Sequence, residues 1–194
     1  MPEPITDASR DTQQKILDAA FYCVQTWGID KTSMNDIARQ AGVTRPTVYA
    51  HFAAREEIIR AALLQSGHAL AQRLLKRMHS FNTAEERLLE SVVFAVAELP
   101  QQPYLALLNH TDISSYISVD ALNDPQGLAL CTELFQAIFL HQPLSEQDFV
   151  ENMELTIRMT LSLIATEGPQ QRDENALRGF LRRRLLPAIS FPQP

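Results

Sequence analysis

The run Thr44-Arg45-Pro46-Thr47 places two hydroxyls and a guanidinium side by side, with Tyr49 and His51 close behind. None of these forms a nucleophile and base pair. They are groups that grip something flat and anionic. A guanidinium can reach the paired acceptors of a guanine edge or a phosphate, and the Thr47 methyl can meet a thymine methyl. Thr44 can give its hydroxyl to a phosphate while capping a helix. Tyr49 and His51 offer a hydroxyl and an imidazole to backbone phosphates, which positions a protein without reading sequence. The blander readings are that the Tyr49 ring packs on its own chain and that His51 is an ordinary surface residue. Val48 and Phe52, between and beyond them, face inward as core.

Other chemistries find no support. There is no nucleophile elbow, no phosphate-cradling glycine loop and no metal-ligand cluster. His68 and His79 fall on a similar helical face, but no third ligand accompanies them. Cys23 and Cys131 sit inside helical apolar patterns and read as small buried hydrophobes rather than a disulfide or a zinc site. No enzyme activity, metal or cofactor is expected. Residues Met1–Asp7 lack the basic start and apolar run of a signal peptide, and no apolar stretch approaches the roughly 20 residues of a membrane span. The expectation is a soluble, cytoplasmic chain with no membrane partner.

The elements that must position these side chains are all helical. The fold class predicted is all-α, with no segment of sustained alternation to suggest a sheet. A first helix begins near Ser9–Asp11 and runs to Trp27, where Gly28 stops it. Ser33 and Asp36 form a capping box for a short second helix ending at Gly42. Thr44 caps a third, with Pro46 in its first turn, where a missing amide proton costs least. Two short helices joined by a tight glycine turn, Ser33–Ala41 and Thr44–Phe52, have the shape of a helix-turn-helix. From Arg55 an apolar stripe persists to about Ser80, a fourth helix of roughly 35–40 Å that joins the first three helices to the rest. Further helices are expected at 84–98, 102–117, 125–141, 146–167 and 173–186, with breaks at the prolines and at Gly168.

Charge is distributed unevenly. The chain of 194 residues has a formal net charge of −6, which alone argues against DNA. Yet Lys31, Arg39, Arg45 and Arg55 face a single acid, Asp36, between positions 31 and 55. Between Arg87 and Arg158 there is no Lys or Arg, and Arg182, Arg183 and Arg184 make a second basic patch. Arg39 and Arg60 read as solvated helix charges.

The ordered run Lys15-Ile16-Leu17-Asp18-Ala19-Ala20, Gly28, Thr32-Ser33-Met34-Asn35-Asp36-Ile37-Ala38, Ala41-Gly42-Val43-Thr44, Thr47-Val48-Tyr49-Ala50-His51-Phe52 and Arg55-Glu56-Glu57-Ile58 resembles the DNA-binding region of the TetR family of transcriptional regulators. Val24 stands where family members often carry Phe, and Arg55 where Lys is commoner; the second change keeps the charge. The resemblance covers about the first third of the chain. It implies an all-helical homodimer in which Thr44, Arg45, Pro46, Thr47, Tyr49 and His51 contact double-stranded operator DNA, while Thr32 or Ser33, and Arg55, hold phosphates. Residues 1–54 would be the helix-turn-helix domain, and 55–194 a helical domain for effector binding and dimerisation.

For that second part the resemblance implies two long helices that pair with their copies. The stripes Phe149, Met153, Ile157 and Ile164, and Leu177, Phe180, Leu181 and Leu185, are compatible, although they could equally bury against their own chain. Phe94, Tyr104, Leu108, Tyr116, Phe135 and Phe139 could line a small-molecule pocket, with Glu98, Asn109, His110 and Asp112 as polar anchors. The acidic middle raises the idea of a cationic effector, set against the plainer reading of a solvated acidic face. The function expected is a repressor that binds a palindromic operator as a dimer and is released when an effector tilts the fourth helix. The alternative is a DNA-bound adaptor that answers to a protein partner.

Overall fold

The computed structural model describes residues 7–28, 30–102, 125–140, 144–166 and 172–191, and among these it is helical with no strand. The chain forms two compact units, Met1–Ser66 and Gly67–Pro194. The division falls inside the fourth helix.

In the first unit, α1 (Asp7–Trp27) packs on α2 (Met34–Ala41), and α3 (Arg45–His51) follows α2 after a short turn. Ile16, Leu17, Ala20, Cys23 and Val24 from α1 meet Met34, Ile37 and Ala38 from α2 in one core, completed by Val48, Phe52, Ile58 and Ala62. α1 ends where the amide of Gly28, at φ 84°, donates to the Val24 carbonyl at 2.8 Å. α2 ends at Gly42, whose φ of 67° is open to glycine at little cost. Val43 N–H then closes on the Ala38 carbonyl at 3.1 Å. This leaves one residue before Thr44 opens α3. The fourth helix, α4 (Arg55–Met78), begins beside them and contributes Ile58 and Ala62.

The second unit holds the later turns of α4, then α5 (Ala84–Glu98), α6 (Pro125–Ile138), α7 (Glu146–Ala165) and α8 (Glu174–Arg184). Short 3₁₀ turns follow α5 at Leu99–Gln101 and α8 at Leu186–Ala188, each carrying a proline. Pro187 therefore tightens the end of the helix expected to reach 186. Thr83 with Glu86 caps α5, and Ser145 and Asp173 cap α7 and α8. α5 is the centre of this unit, buried on nearly every side from Arg87 to Phe94 and packed against α6, α7 and α8. The helix expected at 102–117 lies outside the described residues beyond Gln102.

Two polar arrangements tie this unit together. Asn152 on α7 clamps the main chain of Ser190, donating to its carbonyl at 2.8 Å and accepting from its amide at 3.0 Å. Glu90 on α5 is buried between Arg77 of α4 and Arg178 of α8, whose Nη2 donates to it at 3.1 Å. Arg73 of α4 likewise reaches Glu98 at 2.7 Å. The stretch from 88 to 157 has no Lys or Arg of its own, but arginines from before and after it converge on Glu90 and Glu98. The linear charge count missed this pairing because it ignores neighbours distant in sequence.

Candidate nucleic-acid interface

The α2–turn–α3 pair is built from local signals that all agree. The Ser33 hydroxyl accepts from Asp36 N–H at 3.3 Å, while Ser33 N–H donates to the Asp36 carboxylate at 3.2 Å. The Ser33 hydroxyl also lies 2.6 Å from that carboxylate, and Arg39 donates to it at 2.7 Å. These hydrogen bonds, those from Ser33 foremost, hold the Asp36 carboxyl below the usual carboxylate range. On α3, Thr44 accepts from Thr47 N–H at 3.3 Å, and the two hydroxyls share a 2.7 Å bond.

What α3 turns outward follows from what it buries. Val48 is fully interior and Phe52 nearly so. That anchors one face of a seven-residue helix and leaves Thr44, Arg45, Pro46 and Tyr49 exposed on another, with Thr47 and His51 half-buried. The six side chains singled out from the sequence are thus brought to one short element. Arg45 is not spread into solvent. Its guanidinium lies 5.3 Å from the centre of the Tyr49 ring and donates to the Tyr49 hydroxyl at 3.3 Å. The spacing of four residues signalled this pair on a helix, yet the sequence reading treated the two residues separately.

The expected phosphate holders stand differently. Thr32 is 2% exposed and its hydroxyl donates to the Gly28 carbonyl at 2.9 Å, so that hydroxyl serves the turn rather than an outside anion. Ser33 is exposed, with its hydroxyl engaged by Asp36. Arg55 is half-buried; it donates to the Thr32 carbonyl at 3.1 Å and to Glu56 at 2.8 Å. Its guanidinium ties the start of α4 to the loop before α2.

In the second unit the residues proposed for a pocket separate into two places. Phe94 is buried beside the guanidiniums of Arg73 and Arg77, at 5.6 and 5.9 Å, and Glu98 is paired with Arg73. Phe135 and Phe139 instead join an aromatic cluster with Phe149 and Phe191, at centroid distances of 5.9–6.2 Å. Tyr104, Leu108, Asn109, His110, Asp112 and Tyr116 lie outside the described residues. Of the residues expected at a dimer interface, Met153, Leu177, Leu181 and Leu185 are buried within their own chain, while Phe149, Ile157, Ile164 and Phe180 are partly exposed. Among the described residues no cluster of three or more His, Cys, Asp or Glu could hold a metal ion, and no helix is long and apolar enough to cross a membrane. Burial pushes the Cys23 and Cys131 thiols up, as it does for inert cysteines.

Residues 16–62 match the family model described as bacterial regulatory proteins, tetR family. The chain is similar to the uncharacterised helix-turn-helix transcriptional regulator TtgW of Pseudomonas putida, at 28% identity over 144 residues, covering 74% of this chain and 84% of TtgW. It is also 28% identical over 144 residues to the regulator SrpR of Pseudomonas putida, spanning 74% of this chain and about half, 53%, of SrpR. Among solved structures, the regulator FadR of Bacillus subtilis in complex with stearoyl-CoA superposes with a TM-score of 0.65 at 18% identity, covering 91% of this chain and 99% of that one. At that identity the likeness speaks for the fold. A match that begins in the core of α1, runs through both capped helices and ends in α4 shows that residues 16–62 are a DNA-binding region of the tetR family of bacterial regulatory proteins.

Proposed function

We propose that the chain is a dimeric repressor that binds a palindromic operator through α3 and is released by a small-molecule effector. The observation that carries the reading is the division of α3 into a buried anchor, Val48 and Phe52, and an exposed face of Thr44, Arg45, Pro46 and Tyr49. Such a helix can enter a major groove without disturbing its own core. Thr44, Arg45 and Thr47 meet base edges or phosphates, and His51 and Ser33 lie nearby for the backbone. Arg55 and Thr32 act by shaping the loop that presents Ser33.

The dimer reading rests on the apolar side chains that α7 and α8 leave partly uncovered, Phe149, Ile157, Ile164 and Phe180, with Val150 exposed beside them. Two α3 helices would then meet successive major grooves about 34–36 Å apart. α4 runs unbroken from Arg55 to Met78, so a tilt imposed on its later turns is carried to its first. That tilt alters the separation of the two reading helices and lowers affinity by shifting the population away from the DNA-competent form. The stearoyl-CoA in the FadR structure supports an effector for this fold. A cationic effector would have to displace Arg73 from Glu98 or use a different carboxylate.

Selection from a randomised double-stranded DNA library, followed by titration of the selected site, tests the reading. The expected result is a site with two-fold symmetry, bound by two chains, and weakened by at least one compound from a panel of acyl-CoA thioesters and planar organic cations. A protein that enriches no sequence refutes the DNA-binding role. One that holds its site equally well when saturated with every bound compound favours an adaptor answering to a protein.

A further inference from the structure

This inference rests on α3 meeting DNA as proposed above. Arg45 and Tyr49 stand one turn apart on α3, and both are exposed, Tyr49 by 43%. The guanidinium carbon of Arg45 sits 5.3 Å from the Tyr49 ring centre, and Nη2 donates to the phenol oxygen at 3.3 Å. Arg39 and Arg55 in the same unit are ion-paired, to Asp36 and Glu56. Among the described residues Arg45 has no acidic partner, so its charge is not offset by a carboxylate that DNA would have to displace. A free arginine samples many rotamers and loses them on gripping a base. Here a ring face and a hydroxyl already restrict it, and most of its N–H groups remain free.

We propose that Tyr49 is the positioning residue for Arg45, holding its guanidinium over the ring so that the free N–H edge meets a guanine, and that each operator half-site carries a guanine at that position. A guanidinium fork matches the O6 and N7 acceptors of guanine, the one base whose major-groove edge offers two acceptors to it. Stacking leaves that fork's edge exposed while covering its face. The role differs from a phosphate contact, in which the Tyr49 hydroxyl would add affinity without regard to base.

The test is selection from a randomised double-stranded DNA library by the wild type, R45A, Y49F, Y49A and Y49L, then binding measured on the enriched site and on versions with each position replaced. The wild type is expected to enrich one guanine per half-site and prefer it by roughly 5- to 150-fold. R45A should lose that preference and no other. Y49A and Y49L should reduce it by about two- to fivefold at the same position alone, and Y49F, which keeps the ring, should retain most of it. Circular dichroism identifies any variant that fails to fold, and the two ring-free variants stand in for each other. A guanine preference untouched in Y49A and Y49L overturns the proposal. So does a Y49F that weakens every DNA equally, since that is a phosphate contact. A wild type that enriches nothing ends the DNA-binding reading and this inference with it, whereas an enriched site lacking the guanine ends this inference alone.

Discussion

Glu90 can be neutralised in two ways, and the fold predicts which is worse. Its side chain is 4% exposed, whereas its partners Arg77 and Arg178 are 46% and 31% exposed. Glu90→Gln leaves two guanidiniums that can turn to water, and its amide oxygen still accepts from one of them. The loss is that of a charge-assisted hydrogen bond, about 1.5–3 kcal/mol. Replacing both Arg77 and Arg178 by Met strands a carboxylate in the interior, for which a cost of about 3–5 kcal/mol is expected. Loss of the Arg77 contact with Phe94 adds about 0.5 kcal/mol. Adding Glu90→Leu to the double variant removes the stranded charge and should recover at least half of the loss. Urea unfolding followed by circular dichroism gives the free energies, and fluorescence of Trp27, the single tryptophan, reports the first unit separately. The reasoning is refuted if Glu90→Gln costs as much as the double arginine variant, or if Glu90→Leu in that background recovers nothing.

The capping box predicts a pH dependence. The Asp36 pKa is lowered in the folded chain, so its stabilising effect is complete above the ordinary carboxylate value and is lost as pH falls through the folded one. Asp36→Asn should therefore melt below wild type at neutral pH, with the gap closing under acid; a gap independent of pH refutes it. Two glycines should respond oppositely. Gly42→Ala is expected to cost about 1 kcal/mol, because φ is 67° and nothing crowds the new Cβ. Gly67→Ala should be neutral or stabilising by up to about 1 kcal/mol, since its Cβ meets only the Leu130 methyl at 3.3 Å inside a helix that glycine weakens. Thermal melts of both variants check the contrast. Asn152→Ala should lower stability by about 2 kcal/mol through two lost main-chain hydrogen bonds, read as a shift in the urea midpoint.

The helix-turn-helix was legible because its signals are local. Ser33 with Asp36, Gly42, and Thr44 with Pro46 each act within four residues, and a short window of sequence holds all that they need. The same window could not show that the Thr32 hydroxyl turns inward, or that Arg55 closes on a carbonyl 23 residues earlier. Nor could it show the Glu90–Arg178 pair, 88 residues apart.

The apolar stripes of α7 and α8 mark a different boundary of what sequence can show. Periodicity states that a face is buried, but the hydrophobic effect is non-directional and does not name what buries it. On α8, Leu177, Leu181 and Leu185 follow one row into their own core, while Phe180, one position off that row, stays partly exposed with the Arg172 guanidinium 4.3 Å from its ring centre. On α7, Met153 goes inward and Ile157 and Ile164 remain half-covered. A single stripe read from the sequence is thus two surfaces in the fold. Only the outer one is free to meet a second copy, and substitutions that test pairing belong at Ile157, Ile164 and Phe180. At Leu181, with no exposed surface, the same substitution would report the core instead.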